Sequence, residues 1–201
     1  MLRSKSLAVL LSGGMLLALP AFSQEESAQY KSEASVQVFG SFTKSTTDNS
    51  IPQSATNTGG VLASYRYFFN PHNGVEVNYG YSLNTLNYGL AGGLTGVNTY
   101  SHETTAAYVY RFPVKRITPF VLAGAGALVF DPKDVAGSTA QARAAFVYGG
   151  GADVNISKRV FFRAGYRGLV YNSPNFDNGL LSGADRITHR AEPFGGLGFR
   201  F

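Results

Sequence analysis

The 201-residue chain contains no cysteine and no tryptophan, and only 14% of its residues are charged. The missing cysteine excludes disulfide staples, thiolate metal sites and cysteine nucleophiles together. It leaves the compartment open, because an oxidising compartment permits disulfides without requiring them. The scarcity of charge is at odds with a surface that faces water all round, since soluble domains carry about 25% charged residues. The formal net charge is +5, but no long basic run carries it, so nucleic acid is a poor match as a partner. Beyond the amino end no apolar run reaches transmembrane-helix length, and any membrane crossing therefore falls to strands. No His, Asp and Glu residues show metal-ligand spacing, and the Gly149–Gly151 run lacks the strand-loop-helix setting of a phosphate loop. Neither a metal nor a cofactor is expected.

What the chain has instead is apolar and aromatic residues in a particular order. Hydrophobic residues make up 44%, with 24 Gly, 15 Phe and 12 Tyr, yet mean hydropathy is close to zero. Apolar side chains that alternate with polar ones reconcile the two facts. The length fits one domain.

Residues 1–23 begin with Arg3 and Lys5, continue through an apolar stretch from Leu7 to Leu19, and end with Ala21 and Ser23 at the −3 and −1 positions of a cleavage before Gln24. This is the pattern of a secretory signal peptide. Its apolar core is about 13 residues, short of the ~20 a membrane-crossing helix needs. Residues 24–33, QEESAQYKSE, are polar and aperiodic, and read as a short flexible lead-in. The remainder, 34–201, reads as one domain.

From Ala34 onward the chain falls into eight alternating segments of ~10 residues, the length a tilted strand needs to cross a bilayer. They are 35–43, 60–69, 75–83, 103–112, 119–129, 143–155, 160–171 and 188–201. In the last, Leu197, Phe199 and Phe201 share one parity while Arg190, Glu192 and Arg200 share the other. Asn-Pro-His-Asn-Gly at 70–74 supplies a tight reversal. Only segment 119–129, Gly/Ala-rich with apolar residues at both parities, leaves its faces unassigned. The connections alternate in length. Those at 44–58, 84–99, 130–141 and 172–187 are long and those at 70–74, 113–118 and 155–159 short, which places both ends of the domain on the short-turn side. Aromatics gather near strand ends, with Tyr65, Tyr67, Phe69, Tyr110, Phe112, Phe161, Phe162, Phe199 and Phe201 toward the short turns and Tyr79, Tyr81, Tyr100 and Tyr171 toward the other rim. The architecture expected is all-β, an eight-stranded antiparallel up-and-down transmembrane β-barrel, with glycines giving way to large neighbours.

The stretch from about Ser35 to Phe201 resembles the small eight-stranded outer-membrane barrels, the family of the OmpA membrane domain and OmpX. Arg66 to Ser82, R-Y-F-F-N-P-H-N-G-V-E-V-N-Y-G-Y-S, is similar to their second and third strands, and the C-terminal Phe after alternating apolar residues is similar to their last. The resemblance implies the outer membrane as location, outer-membrane lipid as surroundings, and periplasmic chaperones and the barrel-assembly machinery as partners during biogenesis. It also implies a monomer, with Leu197, Phe199 and Phe201 as the assembly signal.

The inward parity then carries Arg66, Glu76, Glu103, Arg111, Arg143, Asp153, Arg163, Arg167, Arg190, Glu192 and Arg200. A Lys or Arg facing lipid at the midplane costs roughly 2–4 kcal/mol, whereas inside such groups can pair. Matching parity and symmetric spacing about the turns predict Arg66 with Glu76 and Asp153 with Arg163. Three functions are compatible with this pattern. The charges can form a structural plug in a barrel too narrow for a water channel, leaving a structural or surface-interaction role to the loops. They can line a narrow gated pore. Or the barrel can be a lipid A-modifying enzyme, for which Ser101, His102 and Glu103 are the one hydroxyl-histidine-carboxylate grouping in sequence. Because these three are consecutive, their side chains alternate between faces. A non-enzymatic barrel is the expectation.

Overall fold

A computed structural model of the chain describes residues 30–48, 51–90, 93–114, 116–133, 140–174 and 187–201. The signal peptide expected at 1–23 and most of the lead-in lie outside the described residues. These form ten strands: β1 (Ser32–Thr43), β2 (Thr46–Asp48), β3 (Ile51–Ala55), β4 (Thr58–Phe68), β5 (Asn73–Leu90), β6 (Gly93–Arg111), β7 (Ile117–Pro132), β8 (Gln141–Asn155), β9 (Val160–Asn172) and β10 (Ile187–Arg200). β1 pairs with β4, β4 to β10 each pair antiparallel with the next, and β1 pairs with β10 from Glu33↔Arg200 to Thr43↔Arg190, so these eight strands close into a barrel.

Alternation produces the two faces. On β1, Ser35, Gln37, Phe39 and Ser41 are buried, whereas Val36 and Val38 are each 66% exposed on the outside. An apolar exterior around a polar interior is stable only where the outer solvent is hydrocarbon. The short reversals are fixed by side chains. Asn70 Oδ1 accepts hydrogen bonds from the backbone N–H of His72 (3.0 Å) and Asn73 (2.9 Å). Ser157 Oγ accepts from the N–H of Val160 at 3.0 Å. At this end Tyr65, Tyr67, Phe69, Phe112, Phe162, Phe199 and Phe201 are exposed as a girdle. Phe161 and Tyr171 do not join the rims expected for them: both are buried inside, at 0% and 4% exposure.

The long connections begin or end as strand. β5 and β6 stay paired as far as Leu90↔Gly93, through the loop expected at 84–99. Within the loop expected at 44–58, β2 and β3 form a hairpin whose second strand pairs with the far part of β5 from Gln53↔Tyr88 to Ala55↔Leu86. Likewise β7 continues to Pro132, with Phe130 buried rather than opening a loop. At ~3.4 Å per residue the 18 residues of β5 span roughly 60 Å, well beyond an apolar band ~25 Å tall. Above that band neither face meets lipid, so the hydrophobic alternation that marks a strand fades while the hydrogen-bond ladder persists.

The faces of β7 also become clear. Thr118, Phe120, Leu122, Leu128 and Phe130 are buried, and Val121 and Val129 point outward. Apolar residues occur at both parities because the inward ones pack against other buried side chains, among them Val109, Val147 and Leu169. Large rings fit into the interior by lying flat on cross-strand glycines. Phe161 is paired with Gly198, and a Cβ at Gly198 would overlap the Phe161 ring. Phe39 covers Gly60 in the same way.

Candidate functional site in the barrel interior

Two layers of buried charge cross the barrel. In the layer nearer the chain ends, Arg66 and Glu76 face each other on β4 and β5 and are joined through Arg66 Nε and Glu76 Oε2. Asp153 and Arg163 face each other on β8 and β9, and the guanidinium grips the carboxylate with two bonds, Nε to Oδ1 at 2.7 Å and Nη2 to Oδ2 at 2.8 Å. Such fork-to-fork pairs are the most directional of ion pairs.

The hub is Glu33. Its Oε1 accepts from Arg111 Nη1 at 3.1 Å and Arg200 Nε at 3.0 Å, and its Oε2 from Arg163 Nη2 at 2.7 Å. Arg200 Nη1 donates to Asn155 Oδ1 at 2.6 Å, and Arg163 Nη1 lies 3.9 Å from Glu76 Oε2, linking the two facing pairs. β7 supplies a ring: Phe120 lies 4.0 Å beneath the Arg66 guanidinium. Arg111 stacks on Phe68 at 3.6 Å. Every barrel strand thus contributes a side chain to this layer, seven of them charged and one aromatic, with the charged side chains at most 8% exposed.

The second layer is smaller. Arg167 Nη2 bonds both Glu103 Oε1 and Glu192 Oε2, the latter at 2.6 Å. Arg190 Nη1 is 3.7 Å from Glu192 Oε1, and its two Nη atoms donate to Ser101 Oγ at 3.2 and 3.3 Å. Phe130 and Tyr171 flank that guanidinium at 5.6 and 5.5 Å. Glu103 Oε2, Glu192 Oε1 and Arg167 Nε have no hydrogen-bond partner among the described residues. Between the layers, Asn78 Nδ2 donates to Glu76 Oε1 at 2.8 Å and Thr105 Oγ1 at 3.2 Å, and Gln37 Nε2 to Ser35 Oγ at 2.7 Å and Ser64 Oγ at 3.2 Å.

Arg66, Glu76, Glu103, Arg111, Asp153, Arg163, Arg167, Arg190, Glu192 and Arg200 are all buried on the interior face and divide between these layers. Arg143 is half-buried higher on β8, opposite Leu128. Glu33 is the residue the sequence reading leaves out. It stands in β1 rather than in a lead-in, and the signal that finds it is parity: stepping back from Gln37 and Ser35 lands on Glu33 on the same inward face.

Ser101, His102 and Glu103 do not converge. Ser101 and Glu103 are buried in the second layer, while His102 is on the outer face with Nδ1 2.8 Å from the Tyr79 hydroxyl. His189 is likewise outside, its Nε2 2.9 Å from the Tyr148 hydroxyl, and His72 sits in a turn with Nδ1 3.1 Å from the Arg111 carbonyl oxygen. Leu197, Phe199 and Phe201 face outward at 57%, 43% and 57% exposure, and the Phe201 N–H donates to the Ser32 carbonyl oxygen at 2.9 Å across the closing seam.

Solved structures with this architecture include Neisserial surface protein A, at 14% identity over 85% of this chain and 97% of that one, with a TM-score of 0.61. OprG of Pseudomonas aeruginosa matches at 12% identity over 88% and 98%, with a TM-score of 0.63. Ail of Yersinia pestis, solved with the heparin analogue sucrose octasulfate, matches at 20% identity over 85% and 99%, with a TM-score of 0.51. At these identities the likeness is one of fold. Among curated protein sequences there is no significant match. The family model described as the outer membrane protein beta-barrel domain matches residues 14–186. The chain belongs to the outer membrane protein beta-barrel family.

Proposed function

We propose that this outer-membrane barrel is a structural and surface-interaction protein whose interior is a fixed plug, and that the strand extensions on the long-loop side make its external contacts. The observation that carries this reading is the layer around Glu33. Each barrel strand places a side chain in it, and its arginines are held by two-bonded or multiply bonded carboxylates and by stacking on rings. Opening a path there means separating buried ion pairs, and removing one partner of such a pair typically costs about 3–5 kcal/mol. In the same reading, Leu197, Phe199 and Phe201 are the segment that the assembly machinery engages, and the barrel works as a monomer in outer-membrane lipid.

Solute uptake by proteoliposomes tests the plug. Vesicles carrying the wild-type barrel are expected to exclude small sugars and ions as well as protein-free vesicles do, and Arg66→Ala is expected to leave that barrier in place, since six charged side chains and Phe120 remain. Uptake that appears or rises in Arg66→Ala would favour the gated pore.

A further inference from the structure

Two histidines stand on the outer wall, and their surroundings differ. His102 on β6 is ten residues above Phe112, and His189 on β10 is ten above Phe199. Both phenylalanines belong to the girdle at the short-turn end. At ~3.4 Å per residue and a tilt of ~40°, ten residues climb roughly 26 Å, about the height of the apolar band. Both imidazoles therefore reach its other edge. β6 and β10 lie on opposite sides of the barrel, four strands apart in either direction. His189 is enclosed, its Nε2 lying 2.9 Å from the Tyr148 hydroxyl and 3.4 Å from that of Tyr166.

His102 instead belongs to an open run of rings. The Tyr79 hydroxyl is 2.8 Å from its Nδ1, and its other ring nitrogen bonds none of the described residues. The Tyr81 ring is 5.2 Å away. Tyr81 stacks on Tyr100 with centroids 5.8 Å apart, and Lys133 Nζ lies 4.5 Å over the Tyr100 ring. Parity puts the run outside: Ser82, Thr99, Ser101 and Glu103 are buried at the alternate positions, whereas Tyr79, Asp131 and Lys133 are exposed. The Lys133 N–H donates to the Asn98 carbonyl oxygen at 2.7 Å, which holds this residue beside β6 just past the end of β7. Asp131 faces Tyr100 across the ladder. The patch thus carries one ammonium and one carboxylate beside its tyrosine rings.

We infer that this run binds the phosphorylated sugar headgroup of a glycolipid of the lipid A type. A sugar ring packs its C–H face on Tyr100 and Tyr81, a phosphate meets Lys133, and sugar hydroxyls bond Asp131 and the open nitrogen of His102. Tyrosines alone mark the edge of any membrane belt. What selects this occupant is the combination at that depth: flat aromatic faces for a sugar, a cation for a phosphate, and a carboxylate and an imidazole nitrogen for hydroxyls. A phospholipid headgroup makes use of the cation and leaves the rest idle. The long-loop side of such barrels faces out of the cell, so the leaflet concerned is the outer one.

Native mass spectrometry of the folded protein in detergent, titrated separately with lipid A, lipid A stripped of its phosphates and phosphatidylglycerol, tests the site. One lipid A is expected to stay bound per barrel, more tightly than either of the other two. Lys133→Ala should weaken lipid A roughly fivefold and leave the dephosphorylated form unchanged. Tyr100→Ala should weaken both forms, with little effect on phosphatidylglycerol. His189→Ala, on the opposite wall, should alter none of the three. Heat-modifiable migration on a gel confirms that each variant is folded. Wild-type retention of lipid A by Tyr100→Ala or by Lys133→Ala would overturn the inference. So would phosphatidylglycerol held as tightly as lipid A, which would make the patch a site for the phosphate of any lipid.

Discussion

Glu33 carries three arginines from three different strands, and its side chain is 1% exposed. Replacing it by Ala leaves Arg111, Arg163 and Arg200 competing for the remaining carboxylates in a medium that solvates them poorly. The expected loss is about 3–5 kcal/mol, read as a lower urea midpoint for unfolding of the detergent- or bilayer-inserted barrel. Glu33→Gln, which keeps the shape but not the charge, should fall between wild type and Ala. Equal midpoints for all three would remove Glu33 from its place as hub. The facing pairs Arg66–Glu76 and Asp153–Arg163 were legible in the sequence because a short turn fixes the register and charge marks the residues. Glu33 was not, because it follows a polar, aperiodic stretch in which the eye finds no strand to extend. Glycine was legible only as a class. That Gly198 lies under Phe161 depends on which strands are neighbours.

At the scale of elements, the alternation of apolar and polar residues located all eight wall strands, since each must satisfy lipid on one side and a packed interior on the other. It lost them where one of those solvents changes. Above the lipid belt, β5 and β6 continue as a ladder through residues that read as loop. In β7 the interior face is as apolar as the exterior, so period 2 in hydrophobicity cancels although period 2 in direction remains. β10 is the element on which closure depends, because it pairs with both β9 and β1. Deleting Phe201 removes its backbone bonds with Ser32 and the last ring of the outward series. The expected result is less barrel in the outer-membrane fraction of cells, with refolding of the purified chain from urea into detergent largely retained. Normal membrane levels of the truncated chain would count against a role for this end in assembly, and loss of refolding in vitro as well would make its role one of stability.

For the whole molecule, an exterior that only lipid can solvate surrounds an interior filled to the centre with arginines, carboxylates and rings. A barrel of eight strands has just enough room for side chains, and here they are tied into layers that cross it from wall to wall. On the function proposed above, such an interior holds the barrel's shape and presents its long-loop end without conducting. Planar-bilayer recording at the single-molecule level tests this most directly, with wild type, Arg66→Ala and Glu76→Ala compared under the same voltage and salt. The layers around Glu33 and Arg167 predict near-zero current in all three. A steady or gated channel in the wild type, or one that opens when Arg66 or Glu76 is removed, would contradict them.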